Sequence, residues 1–332
     1  MATYRSGANS RIVIGRESAT FNTMQDTPVG HVLRKASFTF DGLKDLIEND
    51  ELRSTPNTPQ DATGRQNVTA QLVMPMTTDE LGLLCYYFFG SYAVAGSGPY
   101  VHTYKISATQ RRSLWIEVAD IELTKYDLFN GLFIRSISIG TMTKASQLMK
   151  VTVDFWASGK YTLNGGSAQD ASPTTYENPL HTMPEASVLV DDSTTALVSE
   201  ISWTISREVY PYDVLDGTLF AADADQGDYS FDCVMKGWRD SGDTIFGYDD
   251  GAEHGVEILS PRSNAATYYV SIDHNETNIF QSEGSGGVSG DGPVMAAVRV
   301  RPFYSNHGDA SAVVVEIAGE VADYSAAGVI GS

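Results

Sequence analysis

The sequence predicts a mainly β protein built of two tandem antiparallel β-sandwich or barrel-segment domains, each with one short helix. Three observations carry this. Apolar and polar residues alternate in many short stretches, the period of half-buried strands. One order of elements, strand, long loop, strand, short helix and further strands, occurs twice along the chain. The 332 residues exceed one ordinary core and suit two domains of about 150 residues.

The elements follow in chain order. Residues 1–34 are polar and irregular apart from Ile12-Val13-Ile14 and read as an N-terminal arm. A first domain spans 35–163. It opens on Ala36-Ser37-Phe38-Thr39-Phe40, which alternates as a strand. From Asp41 to Gln66, prolines 56 and 59 and many polar residues break the pattern into a long loop of assembly character. Val68, Ala70, Leu72 and Met74 then share one strand face. Thr77 and Glu80 have capping-box spacing, Leu81, Leu84, Cys85 and Phe88 form one helical face, and Gly90 ends the helix. Strands follow around Leu114–Val118, Ser136–Ile139 and Val151–Phe155.

Residues 164–196, rich in small and polar types, read as a linker. A second domain spans 197–321. Ile201, Trp203 and Ile205 alternate with Ser and Thr, and a polar loop runs from about Arg207 to Asp228. Tyr229, Phe231, Cys233 and Met235 share a strand face, with a short helix expected at Asp240–Phe246. Strands follow at 256–258, 268–272, 294–300 and 313–317, with a Gly/Ser loop at 284–292. Residues 322–332 are a C-terminal tail.

Composition excludes several classes. Hydrophobic residues at 42% and charged residues at 19% describe a globular chain. The longest apolar run, around Leu81–Phe89, is far short of the ~20 residues of a membrane span. The N-terminus has no signal-peptide core, so folding in a cytoplasm is expected. Cys85 and Cys233 lie in apolar stretches without CxxC spacing and read as buried thiols. The net charge of −20 is uneven: residues 1–165 hold 15 acids and 16 bases, residues 166–332 hold 27 acids and 6 bases. Such acidity opposes phosphate binding.

No catalytic constellation emerges, and no catalytic, cofactor or metal residue is assigned. Asp223, Asp225 and Asp228 have calcium-loop flavour without the terminal Glu at EF-hand spacing, and a solvated acidic loop is the better account. The glycines of 284–292 make no phosphate loop. The six histidines show no metal-ligand spacing, and no GxSxG elbow is present. Asp249-Asp250 sits in a turn-like stretch. Trp115 and Trp156 fall opposite the apolar stripes of their strands, a position that suits a buried subunit contact.

The helical run Leu81–Gly90, the Pro99–Tyr104 segment with its His102-Thr103-Tyr104 trio, and the alternating Ser136–Ile139 and Val151–Phe155 stretches resemble two-domain phage tail tube proteins. Val198–Ile205 and the Gly292-Pro293-Val294 entry are similar to that family's second half. The resemblance covers roughly residues 30–322. It implies a tail-tube fold in a long, non-contractile tail. Homotrimeric, pseudo-hexameric rings would stack into a pipe for DNA ejection. The partners implied are other copies of the chain, a tape measure protein and passing DNA in the lumen, and tail terminator and distal tail proteins at the ends, with no membrane and no cofactor. The candidates for ring contacts are Arg34, Lys35, Arg111 and Arg112 against Asp223, Asp225, Asp228, Asp249 and Asp250, together with Pro56, Pro59, Trp115 and Trp156. Surplus acid is expected to face the lumen. The rival readings are another β-rich virion or secretion-tube protein, a carbohydrate- or calcium-binding β-sandwich, and a hydrolase with carboxylates placed by the fold.

Overall fold

The computed structural model describes residues 10–42, 44–47, 62–66, 68–107, 112–143, 148–191, 193–194, 198–238, 254–262, 265–281, 295–302 and 311–324. The fold is mainly β, with one α-helix among the described residues. Its frame is a run of eight strands: β1 (Ser37–Asp41), β2 (Val68–Pro75), β3 (Lys125–Thr143), β4 (Lys150–Ala157), β5 (Val198–Tyr212), β6 (Asp223–Trp238), β7 (Ala265–Gln281) and β8 (Met295–Pro302). Antiparallel ladders place them side by side in the order β1-β2-β4-β3-β5-β6-β8-β7. The order within the first four, 1-2-4-3, recurs within the last four. The junction between the two sets is the β3–β5 ladder, with Ile137 opposite Ile205 and Ile139 opposite Trp203.

Alternation decides which face is buried. Leu72, Met74, Ile137, Ile139, Val151, Val153, Ile201, Trp203, Ile205, Cys233, Met235, Val298 and Val300 all point into one core. Their neighbours along each strand are mostly Ser, Thr and Asp, and they remain partly or fully exposed.

The two longest strands bend into a second layer that covers the apolar face. The first part of β3 leaves the main sheet to pair with Leu114–Asp120 and Tyr161–Gly165. The first part of β7 pairs likewise with His254–Arg262 and Val314–Gly319. Following the ladders never returns to a starting strand. Among the described residues the sheet is therefore open and branched.

The helix α1 (Thr78–Phe88) is buried on every side, all eleven residues included. It packs against β3, β7, Tyr100–Lys105 and Val314–Gly319. A one-faced helix was the expectation, and tertiary burial on all sides replaces it. Thr77 and Glu80 do meet, the Thr77 hydroxyl donating to Glu80 Oε2 at 2.6 Å, but no side chain caps the helix backbone. Glu80 instead accepts from the Arg34 backbone N–H at 2.7 Å.

Several other expectations change. The Asp41–Gln66 loop contains a hairpin, Lys44–Ile47 against Ala62–Gln66. The Arg207–Asp228 loop is mostly ladder, because β5 and β6 stay paired out to Tyr212 and Asp223. The inward face of that hairpin end carries only Val209 and Ala224 among polar and aromatic neighbours, too little to mark an apolar period. The N-terminal arm is integral: Ser10–Arg16 pairs with Leu114–Asp120 and Gly30–Leu33, and Ile12, Val13 and Ile14 are buried. The segment read as linker is packed too. Ser187–Val190 pairs with His254–Arg262, and the His181 N–H donates to the Met76 carbonyl at 3.0 Å. In the expected tail, Tyr324 is buried with its hydroxyl on the Asp79 carbonyl at 2.9 Å. Pairing also crosses between the halves at Tyr100–Lys105, which joins Val314–Gly319. The helix expected at Asp240–Phe246 and the Gly/Ser loop at 284–292 lie outside the described residues.

Candidate assembly edges

Three surfaces of this frame stand out. The first is the uncovered face of the main sheet. Thr39, Gln71, Ser136, Ser138, Thr152, Thr204 and Ser206 lie across its middle. Some charges there are tied down, while Arg135 and Lys150 are exposed. Asp154 accepts from Ser136 Oγ at 2.7 Å and from Gln71 Nε2 at 2.8 Å, and Asp232 holds Arg299 at 3.0 Å. A shallow depression of about 560 Å³ crosses this face over the β3–β5 junction, lined among others by Thr39, Asp41, Gln71, Ser136, Asp154 and Thr204. It has hydroxyls and no nucleophile–base pair. The surplus acid of the second half does not gather here. Part of it lies on the β5–β6 hairpin, at Glu208, Asp213, Asp216, Asp223, Asp225 and Asp228.

The second and third surfaces are the sheet's two ends. β1 pairs with β2 on one side and with nothing on the other among the described residues. Its Phe40 is 45% exposed and leans on Phe129 at 4.9 Å between ring centres. At the opposite end, β7 pairs with β8 through Thr277–Gln281. On its other side the His254–Arg262 ladder runs to the His254–Thr277 rung, and among the described residues none pairs with 278–281 on that side.

The residues singled out in the sequence mostly serve the chain's interior. Trp115 is fully buried beneath Val13 and Leu128, and Gly15 and Gly30 leave room for its ring. Trp156 is covered by Phe133, Phe21, Ala221 and Ala224. The strands beneath them gain an outer cover from the N-terminal segment and the β5–β6 hairpin, which sequence periodicity could not show. Both tryptophans are therefore internal, and the argument from exposure falls. Arg112 is also buried. It donates to the carbonyls of Tyr86 and Phe89 at the end of α1 and stacks on the Tyr86 ring at 3.8 Å. It binds the helix's orphan carbonyls rather than a neighbour's acid. Arg34 binds Glu80 at 3.2 Å, and Lys35 binds the Ser10 hydroxyl.

Asp223, Asp225 and Asp228 lie on β6, a strand rather than a loop, so they lack a calcium loop's turn. Asp223 caps the Ala224 N–H at 2.8 Å, and Asp225 accepts from the Tyr212 hydroxyl at 3.3 Å. Pro56, Pro59, Arg111, Asp249 and Asp250 lie outside the described residues. The two hairpins expected to reach other subunits touch each other. Arg65 pairs with Asp213 at 3.1 Å, and the Gln66 N–H donates to the Leu219 carbonyl at 2.7 Å.

The His102 trio is structural: Nε2 lies 2.8 Å from the Val321 carbonyl and Nδ1 lies 3.0 Å from the Tyr92 hydroxyl. Burial holds His102 below its ordinary pKa. Cys85 and Cys233 are buried free thiols, and burial pushes both up, Cys233 to about 12. Among the described residues no cluster of three or more His, Cys, Asp or Glu side chains could hold a metal. No described helix is long and apolar enough to cross a membrane.

A family model described as phage tail tube protein matches residues 7–302. The chain belongs to the phage tail tube protein family. It is thus a structural component of a virion tail, and the family implies assembly of the tail tube from copies of the chain. No curated protein matches it. For a tail tube subunit the informative residues are the edge strand with Phe38 and Phe40 and the backbone edge at 278–281. The sequence offered one signal for the first: Ser37-Phe38-Thr39-Phe40 parallels Ser202-Trp203-Thr204-Ile205 in residue type.

Proposed function

We propose that this tail tube protein forms trimeric rings whose main sheets close into one inner barrel, and that stacked rings conduct DNA through a long, non-contractile tail. The observation that supports the reading most is the open eight-strand sheet whose two end strands, β1 and the 278–281 part of β7, have no outer partner among the described residues. Free edges are an aggregation hazard, and closure removes them. Strands spaced about 4.8 Å and tilted about 40° give three chains a barrel backbone about 48 Å across, a width that passes a DNA duplex after side chains are added. Six chains would double that.

The covered face carries the helix and the whole second layer. That bulk belongs outside, since inside it would fill the channel. The uncovered hydroxyl face then lines the lumen. Across its middle, hydroxyls and paired charges offer passing phosphates few cations and little repulsion, with Arg135 and Lys150 the exposed bases of the face. A tape measure protein would occupy the same channel before DNA does, with terminator and distal tail proteins closing the ends. The test is image reconstruction of tubes assembled from purified protein. Threefold rings with a lumen lined by Ser138 and Thr204 are expected. Six chains per ring, or a lumen lined by the second layer, would overturn the reading.

A further inference from the structure

The β3–β5 junction inside one chain is repeated between chains, and it gives the residue register of the contact. The two sets of four strands match rung by rung. On β2, Leu72 faces β1 at Phe38 and β4 at Val153. On β6, Cys233 faces β5 at Trp203 and β8 at Val300. Val153 in turn faces Ile137 of β3, and Val300 faces Ile279 of β7. So Phe38 occupies the place of Trp203, Phe40 that of Ile205, and Ile279 that of Ile137. The edges match as well. Along β3, one edge is held first by Leu114–Asp120 and then by β5. Along β7, the corresponding edge is held first by His254–Arg262 and then, at 278–281, by no strand among the described residues.

Exposure carries the same message. Trp203 and Ile205, covered by the internal junction, are 3% and 0% exposed, whereas Phe40 in the matching place is 45% exposed. Large apolar groups left open at an unpaired edge mark an interface.

We propose that β7 of one chain pairs antiparallel with β1 of a second copy in the register of the internal junction. There Ser136 faces Ser206, Ile137 faces Ile205, Ser138 faces Thr204 and Ile139 faces Trp203. Carried across, Asn278 faces Asp41 of the next copy, Ile279 faces Phe40, Phe280 faces Thr39 and Gln281 faces Phe38. This rests on the tube reading above and deepens it. It makes every sheet junction of the ring, within and between chains, one repeated ladder.

The test is disulfide trapping in the full-length protein, where the native thiols Cys85 and Cys233 are buried. A Thr39→Cys/Phe280→Cys chain is assembled, oxidised and run on a non-reducing denaturing gel. Covalent dimers and a closed covalent ring are expected. The one-step-displaced pair Thr39→Cys/Asn278→Cys should give at least tenfold less cross-link. Asp41→Cys/Asn278→Cys, on the adjacent rung, serves if Phe280 cannot be replaced without loss of assembly. Ser138→Cys/Thr204→Cys calibrates the geometry by closing within one chain. Rings that cross-link at neither rung, or better at the displaced pair, overturn the register while leaving the tube standing. A wild-type chain that stays monomeric at every concentration sinks the tube reading itself.

Discussion

Trp203 and His274 show how one buried polar contact can give this protein a pH response. The Trp203 indole N–H donates to His274 Nε2 at 3.1 Å, and His274 Nδ1 faces the Val256 carbonyl at 3.2 Å. That arrangement needs a neutral ring with its proton on Nδ1, since a protonated Nε2 would confront the indole donor. Burial lowers the His274 pKa to about 4, and His181 to about 4 by the same cause. With folded values below the unfolded 6.5, their contribution is held above pH 6.5 and lost as pH falls towards 4. Denaturant midpoints should therefore drop across that window. His274→Leu, which strands the indole N–H, should cost about 1–3 kcal/mol at pH 7.5 and shallow the acid slope. An unchanged slope would remove His274 from the account. Glu17 works the other way. It is buried, takes the N–H groups of Asn22 and Gly131 at 3.0 and 2.7 Å, and desolvation raises it to about 7. Its contribution is full below pH 4.5 and lost as pH rises through 7. Glu17→Gln should thus compare better with wild type at pH 8 than at pH 5 in paired denaturant titrations.

Among elements, α1 is the least tolerant of change. Gly82 meets the Tyr324 hydroxyl, and a Cβ there would stand 2.5 Å from it. Gly82→Val should destabilise the fold by about 1–3 kcal/mol through overpacking. Pairing it with Tyr324→Ala should recover part of that loss in a double-mutant cycle; strict additivity would deny the contact. The helix was legible from Thr77, Glu80 and its apolar spacing, and β2 from Val68 to Met74, because one-sided burial leaves a period in the sequence. Burial of α1 on its polar side was not legible, since Asp79 and Glu80 find partners far away in the chain, at Asn178, Glu320 and Arg34. The β5–β6 extension and the Lys44–Gln66 hairpin were read as loops for the opposite reason: too few large apolar residues recur in them to set a period. The edge at 278–281, without an outer partner among the described residues, was equally hidden, because backbone pairing leaves no mark on residue type. The hairpin also frames a prediction for stacking. Removing residues 49–60 between its strands should leave the far-UV spectrum β-rich and ring formation intact but stop tube elongation, followed by light scattering. Long tubes from the deletion variant would show the tip to be dispensable.

At the scale of the whole molecule, the distribution of charge argues for a channel that ignores its cargo. Among the described residues, part of the second half's acid excess lies on the β5–β6 hairpin, at Asp213, Asp216, Asp223, Asp225 and Asp228. On that face Asp154 and Asp232 are bonded to neighbours, and hydroxyls cover the β3–β5 junction. A lumen of this kind would let DNA slide because few groups in it release counterions on contact. Ser138→Lys, Thr204→Lys and Ser206→Lys together should preserve the sheet, since all three side chains leave the core side to their neighbours Ile137, Ile139, Trp203 and Ile205. The added cations would repeat around every ring and along every stacked layer. Phage carrying this triple variant should eject DNA several-fold more slowly at ionic strength near 10 mM, where the Debye length is about 30 Å. The defect should fade near 0.15 M and above, as screening shortens that length to about 8 Å and below. The same three positions changed to Ala should eject at the wild-type rate in both salts. If the lysine variant forms normal tails and its ejection rate is indifferent to salt, the hydroxyl face does not meet DNA. The lumen must then be sought on another surface of the subunit.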